Sequence, residues 1–129
     1  MVIGPYRPCV RAGELLFTSG QIPIDPSSGS VASGGIVGQT EQTLRNLAAV
    51  LAREGTALED VVQATVFLSR MSDFESMNRV YCRHFAAPRP ARTCVAAAGL
   101  PRGVLVEIAA VARVGARTKR KTRKAPRRG

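Results

Sequence analysis

The spacing of hydrophobic residues changes along this chain, and these changes restrict the fold more than any other feature. Residues 14–19 form a short apolar run typical of a buried strand, and residues 61–68 form a longer, β-branched run. Between them, apolar residues from position 44 to position 51 recur at the three- and four-residue spacing of an amphipathic helix. The pattern therefore predicts a fold in which strands and helices alternate.

Signals at the helix ends set the boundaries of two helices. The first is predicted from Gln39 to Gly55, with Thr40 as its N-terminal cap and the glycine supplying a positive φ at its end. The second is predicted to begin after Ser72 and to stop before the proline-rich residues 87–90. Its inward face is predicted to consist of Phe74, Met77, Val80 or Tyr81, and Phe85.

Two further strands are predicted at residues 91–98 and 104–114, with a turn at residues 99–103 between them. This order of elements predicts an α+β fold, with a mixed β-sheet and both helices packed on one of its faces. Apolar residues also occupy the other face, so we expect a homo-oligomer that buries it. If the last two strands pair as a hairpin, Arg92 and Glu107 lie almost opposite each other.

The formal net charge of +10 is concentrated at the end of the chain. Residues 116–129 hold eight of the nineteen Lys and Arg and no acid, which leaves the rest of the chain with a net charge of +2. We therefore interpret residues 1–115 as one domain and residues 116–129 as a basic, disordered tail. Nucleic-acid binding through this tail is a less favoured interpretation, because the tail has no aromatic residue to stack on bases.

The residues that hold metals or form disulfides are scarce. The three cysteines, Cys9, Cys82 and Cys94, are odd in number and form no CxxC pair, which argues against a disulfide scaffold. His84 is the single histidine, so a zinc site has few ligands to draw on. No apolar run approaches the ~20 residues that a membrane span needs. These features predict a cytoplasmic protein with no structural metal and no membrane partner.

Arg92 lies in an apolar segment and shares a strand face with Cys94, because alternate residues of a strand point the same way. A buried guanidinium needs an anionic partner, and Glu107, also in an apolar segment, is the candidate. One interpretation is an ordinary ion pair between strands. The other is an anion site in which Arg92 holds a carboxylate in a bidentate manner, with Glu107 and Cys94 alongside for proton transfer. Spacing alone favours the ion pair and leaves both open.

Several short segments follow one another in an order and at a spacing typical of one protein family. They are 3–6 (IGPY), 17–23 (FTSGQIP), 59–62 (EDVV), 71–81 (MSDFESMNRVY), 90–95 (PARTCV) and 100–108 (LPRGVLVEI). Together they resemble the Rid family (RidA/YjgF, reactive-intermediate deaminases) from about residue 3 to residue 113. The ordered series is far more specific than any single segment.

This resemblance implies a chorismate-mutase-like fold that assembles as a homotrimer with clefts between subunits. It implies hydrolysis of 2-iminopropionate or 2-iminobutyrate to a 2-keto acid and ammonia, without a cofactor. Arg92 matches the arginine that holds the substrate carboxylate, and Glu107 matches the glutamate that positions water and moves protons. The other matching positions line or flank the cleft, and they are Tyr6, Ser19, Gly20, Asn78 and Cys94.

Two other functions stay open at this point. Family members have also been described as ribonucleases and translation inhibitors, which makes an RNA-directed protein aided by the basic tail one alternative. A trimer that binds ketoacids without turnover is the other. The chain also departs from its relatives at two positions. One is Pro8, and the other is Ala109, a position at which many relatives carry a second acid. These departures leave the preferred imine open.

Overall fold

The computed structural model describes residues 4–115, which form a five-stranded sheet and two helices. The predicted α+β fold is confirmed, while the basic tail at 116–129 lies outside the described residues. Short 3-10 turns occur at Leu58–Asp60, Met71–Asp73 and Pro101–Gly103. The strands are β1 (Cys9–Ala12), β2 (Leu15–Thr18), β3 (Val61–Leu68), β4 (Ala91–Ala96) and β5 (Val106–Arg113), and the helices are α1 (Gly35–Arg53) and α2 (Phe74–His84).

The strand order β1-β2-β5-β3-β4 places β3 between the two strands that end the fold. β4 pairs with β3 in parallel and β5 pairs with β3 in antiparallel fashion, so the predicted hairpin of β4 with β5 is wrong. The physical reason is that β3, α2 and β4 form a crossover unit, which needs a helix between parallel neighbouring strands. β5 then occupies the other side of β3, and Arg92 and Glu107 are not cross-strand partners.

The two faces of the sheet differ in what covers them. Buried residues such as Leu16, Val66 and Ile108 face α1 and α2 and form the core with the inner faces of both helices. The opposite face lacks a helical cover within residues 4–115 and leaves apolar side chains open to solvent. They include Phe17 at 44% and Val10 and Val95 at 41% each. The sheet therefore has a covered face and an open face, as the apolar residues on both faces predicted.

The predicted helices are present, but their caps differ from the prediction. α1 begins at Gly35, after Gly34 in a left-handed conformation with φ 97°, so Thr40 lies inside the helix and is fully buried. Ser72 lies in the 3-10 turn before α2, and Asp73 takes the cap position. Both cap predictions are wrong because a preceding glycine or 3-10 turn starts each helix. The inward face of α2 is confirmed, with Met77, Val80, Tyr81 and Phe85 buried.

β1 was not predicted, because residues 9–12 are too few and too polar to form a clear hydrophobic pattern. It pairs only with β2 and forms one edge of the sheet, a position that tolerates the preceding Pro8. Within residues 4–115, neither helix combines the length and the hydrophobicity needed to cross a membrane.

Candidate functional site

A cavity of about 100 Å³ opens where β2 ends and the chain crosses toward α1. Three of the predicted site residues, Tyr6, Gly20 and Glu107, line it together. The backbone around Gly20 is fixed, since Gln21 and Ile108 exchange backbone hydrogen bonds of 2.8 and 3.0 Å. The structure therefore brings together three of the seven predicted site residues at this point.

Gly20 permits the Glu107 carboxyl to lie directly against the backbone. A Cβ added at Gly20 would collide with Oε2 of Glu107 and approach its Cδ to 2.8 Å. Glu107 is half-buried, and this burial raises the pKa of its carboxyl above the ordinary value. Because Glu107 pairs with Phe67 across β3 and β5, its side chain lies on the open face. The carboxyl thus combines a raised proton affinity with access to the cavity.

Ser19 holds the N-terminal segment against the sheet and does not point its hydroxyl into the cavity. Its Oγ donates to the Arg7 carbonyl at 2.6 Å, and its backbone N–H donates to the Pro8 carbonyl at 2.8 Å. These bonds tie down the residues that follow Tyr6, whose side chain remains 46% exposed at the cavity. In this protomer Ser19 positions Tyr6 and has no free donor for a ligand.

Arg92 forms a separate cluster with α2 at the edge of the sheet. Its Nη1 donates to Oδ1 of Asn78 at 2.7 Å. The guanidinium carbon lies 4.8 Å from the ring centre of Tyr81 and 5.6 Å from that of Phe74, distances at which a cation is attracted to an aromatic face. One amide and two rings therefore fix the guanidinium, while no carboxylate within residues 4–115 pairs with it.

Cys94 lies on the same side of β4 as Arg92, as predicted from their spacing. Both align with residues of β3 whose side chains are buried under the helices. Burial raises the pKa of the Cys94 thiol, and the nearby charge of Arg92 offsets this only in part. A protonated thiol is a weak hydrogen-bond donor and a poor nucleophile.

The two clusters are well separated within one protomer. Arg92 aligns with Ala64 and through it with Ala110, which lies three residues from Glu107. Two strand spacings and three residues of strand rise give a Cα separation of ~14 Å between Arg92 and Glu107. Their side chains also lie on opposite faces of the sheet. A single protomer therefore cannot present both groups to one small substrate.

Comparison with known proteins agrees with this architecture. A family model described as Endoribonuclease L-PSP matches residues 1–114. The chain belongs to this family, also called the Rid family. A RutC family protein of Pyrococcus horikoshii is 47% identical over 110 residues, covering 85% of this chain and 87% of that protein. The mouse protein named 2-iminobutanoate/2-iminopropanoate deaminase is 42% identical, covering 85% and 82%. RidA from the Antarctic bacterium Psychrobacter superposes with a TM-score of 0.85 at 34% identity, covering 88% and 92%.

Some residues of this candidate site were not predicted from the sequence. Phe74 and Tyr81 were assigned to the core, although with Asn78 they follow the four- and three-residue spacing of one helix face. That spacing was the available signal that all three meet one partner on the sheet. Asn46 donates to the carbonyls of Ile22 and Ile24 at 3.0 and 2.9 Å and shapes the cavity wall, which no local pattern indicated.

Proposed function

We propose that this chain catalyses the hydrolytic deamination of small 2-imino acids, such as 2-iminopropionate and 2-iminobutyrate, to 2-keto acids and ammonia. The observation that carries the proposal is the division of the site between two kinds of charged group. Arg92 is a fixed cation without a carboxylate partner within residues 4–115, and Glu107 is a half-buried acid with a raised pKa. The name of the mouse relative supports the same reaction.

The chemistry requires a bound carboxylate and a mobile proton. Arg92 holds the substrate carboxylate and so fixes the adjacent imine carbon. Glu107 delivers its proton to the imine nitrogen, which makes the carbon more electrophilic, and then accepts a proton from the attacking water. Ammonia leaves as the C=N bond is replaced by C=O, so one water is consumed for each ketoacid formed.

The separation of the two clusters leads us to propose that each site forms between two subunits. The open face carries Glu107 and, further along the sheet, the exposed Phe17 and Val10, and a second subunit that packs there buries this apolar surface. β4 is a free edge and carries Arg92, so it is the natural element to meet that face. A closed ring of three subunits then contains three equivalent sites, each with Arg92 from one subunit and Glu107 from the next.

The first test is an imine-hydrolysis assay on the wild type and on Arg92→Ala. Imines are generated in place by an amino-acid oxidase, and the rate of ketoacid release is compared with the uncatalysed rate. We expect the wild type to accelerate release and Arg92→Ala to lose at least about 100-fold of that activity, because the carboxylate anchor is gone. Arg79→Ala, an exposed arginine of α2 that bonds to Ser76, is the control.

The same preparations distinguish the two other functions. The family model and its ribonuclease description favour an RNA-directed activity, and RNA cleavage that vanishes on deletion of residues 116–129 supports it. Calorimetric ketoacid binding without any acceleration of imine hydrolysis supports a binding protein. Wild-type rates in Arg92→Ala would contradict the role assigned to Arg92.

A further inference from the structure

The cavity beside Glu107 is also lined by residues of α1. Asn46, Val50 and Arg53 lie on one face of α1 and line the cavity, and Arg53 follows Asn46 by seven positions, a rise of ~10 Å along the helix. Asn46 is bonded to the carbonyls of Ile22 and Ile24, close to Gly20 and Glu107, so Arg53 lies at the far end. Glu107 and Arg53 therefore line the same cavity from different elements, β5 and α1.

The two ends of this cavity carry opposite charges. Among the described residues, the ionisable ones that line it are Tyr6, Glu107 and Arg53, and most of the other lining residues are apolar. Arg53 forms no salt bridge with another residue of the described range 4–115. The neighbouring acid Glu54 does not line the cavity and lies beside Cys9 on β1. Arg53 is thus an exposed cation, without a salt bridge to another described residue, at the rim of a cavity whose wall combines apolar residues with Gln21 and Asn46.

We infer that Arg53 is a specificity residue and that the site accepts 2-imino acids with a second carboxylate at the end of the side chain. The inference rests on the proposed deaminase function. Arg92 holds the carboxylate next to the imine, and Arg53 pairs with the distal one. A carboxylate in an apolar pocket is unfavourable without such a partner, and a guanidinium supplies two parallel donors. The reaction is unchanged: water replaces the imine nitrogen, which leaves as ammonia.

A purely structural role for Arg53 makes a different prediction. A cation in the last turn of a helix stabilises it through the helix dipole, by about 0.3–1 kcal/mol. In that case its removal affects all substrates equally, since only the stability of the fold changes. A change in the ratio between two substrates is therefore the informative measurement.

The experiment measures kcat/KM for 2-iminoglutarate, formed from glutamate by an oxidase, and for 2-iminobutyrate, in wild type, Arg53→Gln and Arg53→Lys. We expect Arg53→Gln to lower the ratio of dicarboxylic to monocarboxylic kcat/KM by about tenfold or more, the effect of losing one charge-assisted hydrogen bond. Arg53→Lys retains most of the ratio because it keeps the charge. Arg45→Gln is the matched control, an arginine of the same helix that pairs with Glu41 outside the cavity.

The outcomes separate this inference from the proposed function. An unchanged ratio in Arg53→Gln, or wild-type hydrolysis of 2-iminobutyrate without any of 2-iminoglutarate, overturns the inference alone. If neither imine is hydrolysed faster than in buffer, the proposed function fails, and calorimetry with 2-oxoglutarate and 2-oxobutyrate then decides the inference. Tighter binding of 2-oxoglutarate that Arg53→Gln abolishes supports it, and equal binding of both ketoacids in wild type overturns it.

Discussion

The two clusters of the candidate site hold their charge in opposite ways. Arg92 is fixed by an amide oxygen and two aromatic rings, all of which attract a guanidinium cation. Glu107 is held against the backbone of Gly20 in a half-buried position, where desolvation disfavours its charged form and raises its pKa. The difference indicates a division of labour: one cluster is built to bind an anion, and the other is built to exchange a proton.

The first prediction has the largest expected effect. It tests whether Arg92 of one subunit acts together with Glu107 of the next. Arg92→Ala and Glu107→Ala are each expected to be nearly inactive. Mixed under conditions that allow subunit exchange, they are expected to recover about a quarter of wild-type activity, because random mixing joins an intact Arg92 to an intact Glu107 at one interface in four. The measurement is imine hydrolysis before and after exchange.

A double variant that carries both substitutions on one chain is the control for this exchange. When this double variant is mixed with wild type, it lowers the number of intact sites, because it supplies neither Arg92 nor Glu107. No recovery of activity between the single variants, once exchange is demonstrated by mass spectrometry, would show that both groups act within one subunit.

The second prediction concerns the close contact between Gly20 and Glu107. Gly20→Ala displaces the carboxyl from its position, because the new Cβ occupies the space of the carboxyl group. We expect kcat to fall by about 100-fold, the cost of misplacing a catalytic group by about 1 Å. The thermal midpoint is expected to change little, since the displaced atoms are the end of a flexible side chain. Gly99→Ala is the control, where an added Cβ meets nothing within 4 Å.

The sequence predicted this site only in part, and the reason is topological. The strand and helix patterns identified β2, β3, β5 and the inward face of α2, because those residues alternate or recur at fixed spacing. The pairing of β4 was predicted wrongly, since residues 99–103 resemble a hairpin turn and local signals do not report which strand lies between two others. The error placed Arg92 beside Glu107, where the structure separates them by β3.

The cavity could not be predicted from sequence patterns for a similar reason. Its walls combine Tyr6, Gly20, Asn46 and Glu107, which are distant in sequence and meet only because β2 ends beside α1. Tyr6, Gly20 and Glu107, which the motif resemblance selected, line this cavity together, and their roles in a site stay predictions. The contacts of Asn46 with two carbonyls depend on the folded loop at Ile22 and Ile24, which no local pattern reports.

The third prediction tests how rigidly the anion-binding cluster is held. Tyr81→Leu removes the ring closest to the Arg92 guanidinium, and we expect KM to rise about 2- to 5-fold with kcat nearly unchanged, the effect of losing 0.5–1 kcal/mol of cation–π attraction. Tyr81→Phe is expected to restore KM, because the buried hydroxyl has no hydrogen-bond partner among the described residues. If kcat falls as much as KM rises, and does so in both variants, the result would instead indicate general disruption of the core.

The smallest expected effect is a change in Tm on substituting Glu107. Its sign distinguishes a catalytic carboxylate from a carboxylate held in a structural ion pair. Because the folded state raises the pKa of Glu107, the native protein binds its proton more tightly than the unfolded chain, and stability falls as pH rises from the ordinary value through the raised one. Glu107→Gln is therefore expected to raise Tm by about 2 °C at pH 7, a modest shift for a domain of this size. Below about pH 4, where the carboxyl is protonated in both states, the gain disappears.

The opposite result would be equally informative about the comparison of the two clusters. If Glu107→Gln lowers Tm at pH 7 and Arg92→Ala lowers it by a similar amount, the two groups stabilise each other across the interface as an ordinary ion pair. A double variant no less stable than either single one would then establish the coupling. A gain in stability together with a loss of turnover is what we expect, because a carboxylate kept in a desolvated position for proton transfer reduces the stability of the fold that holds it.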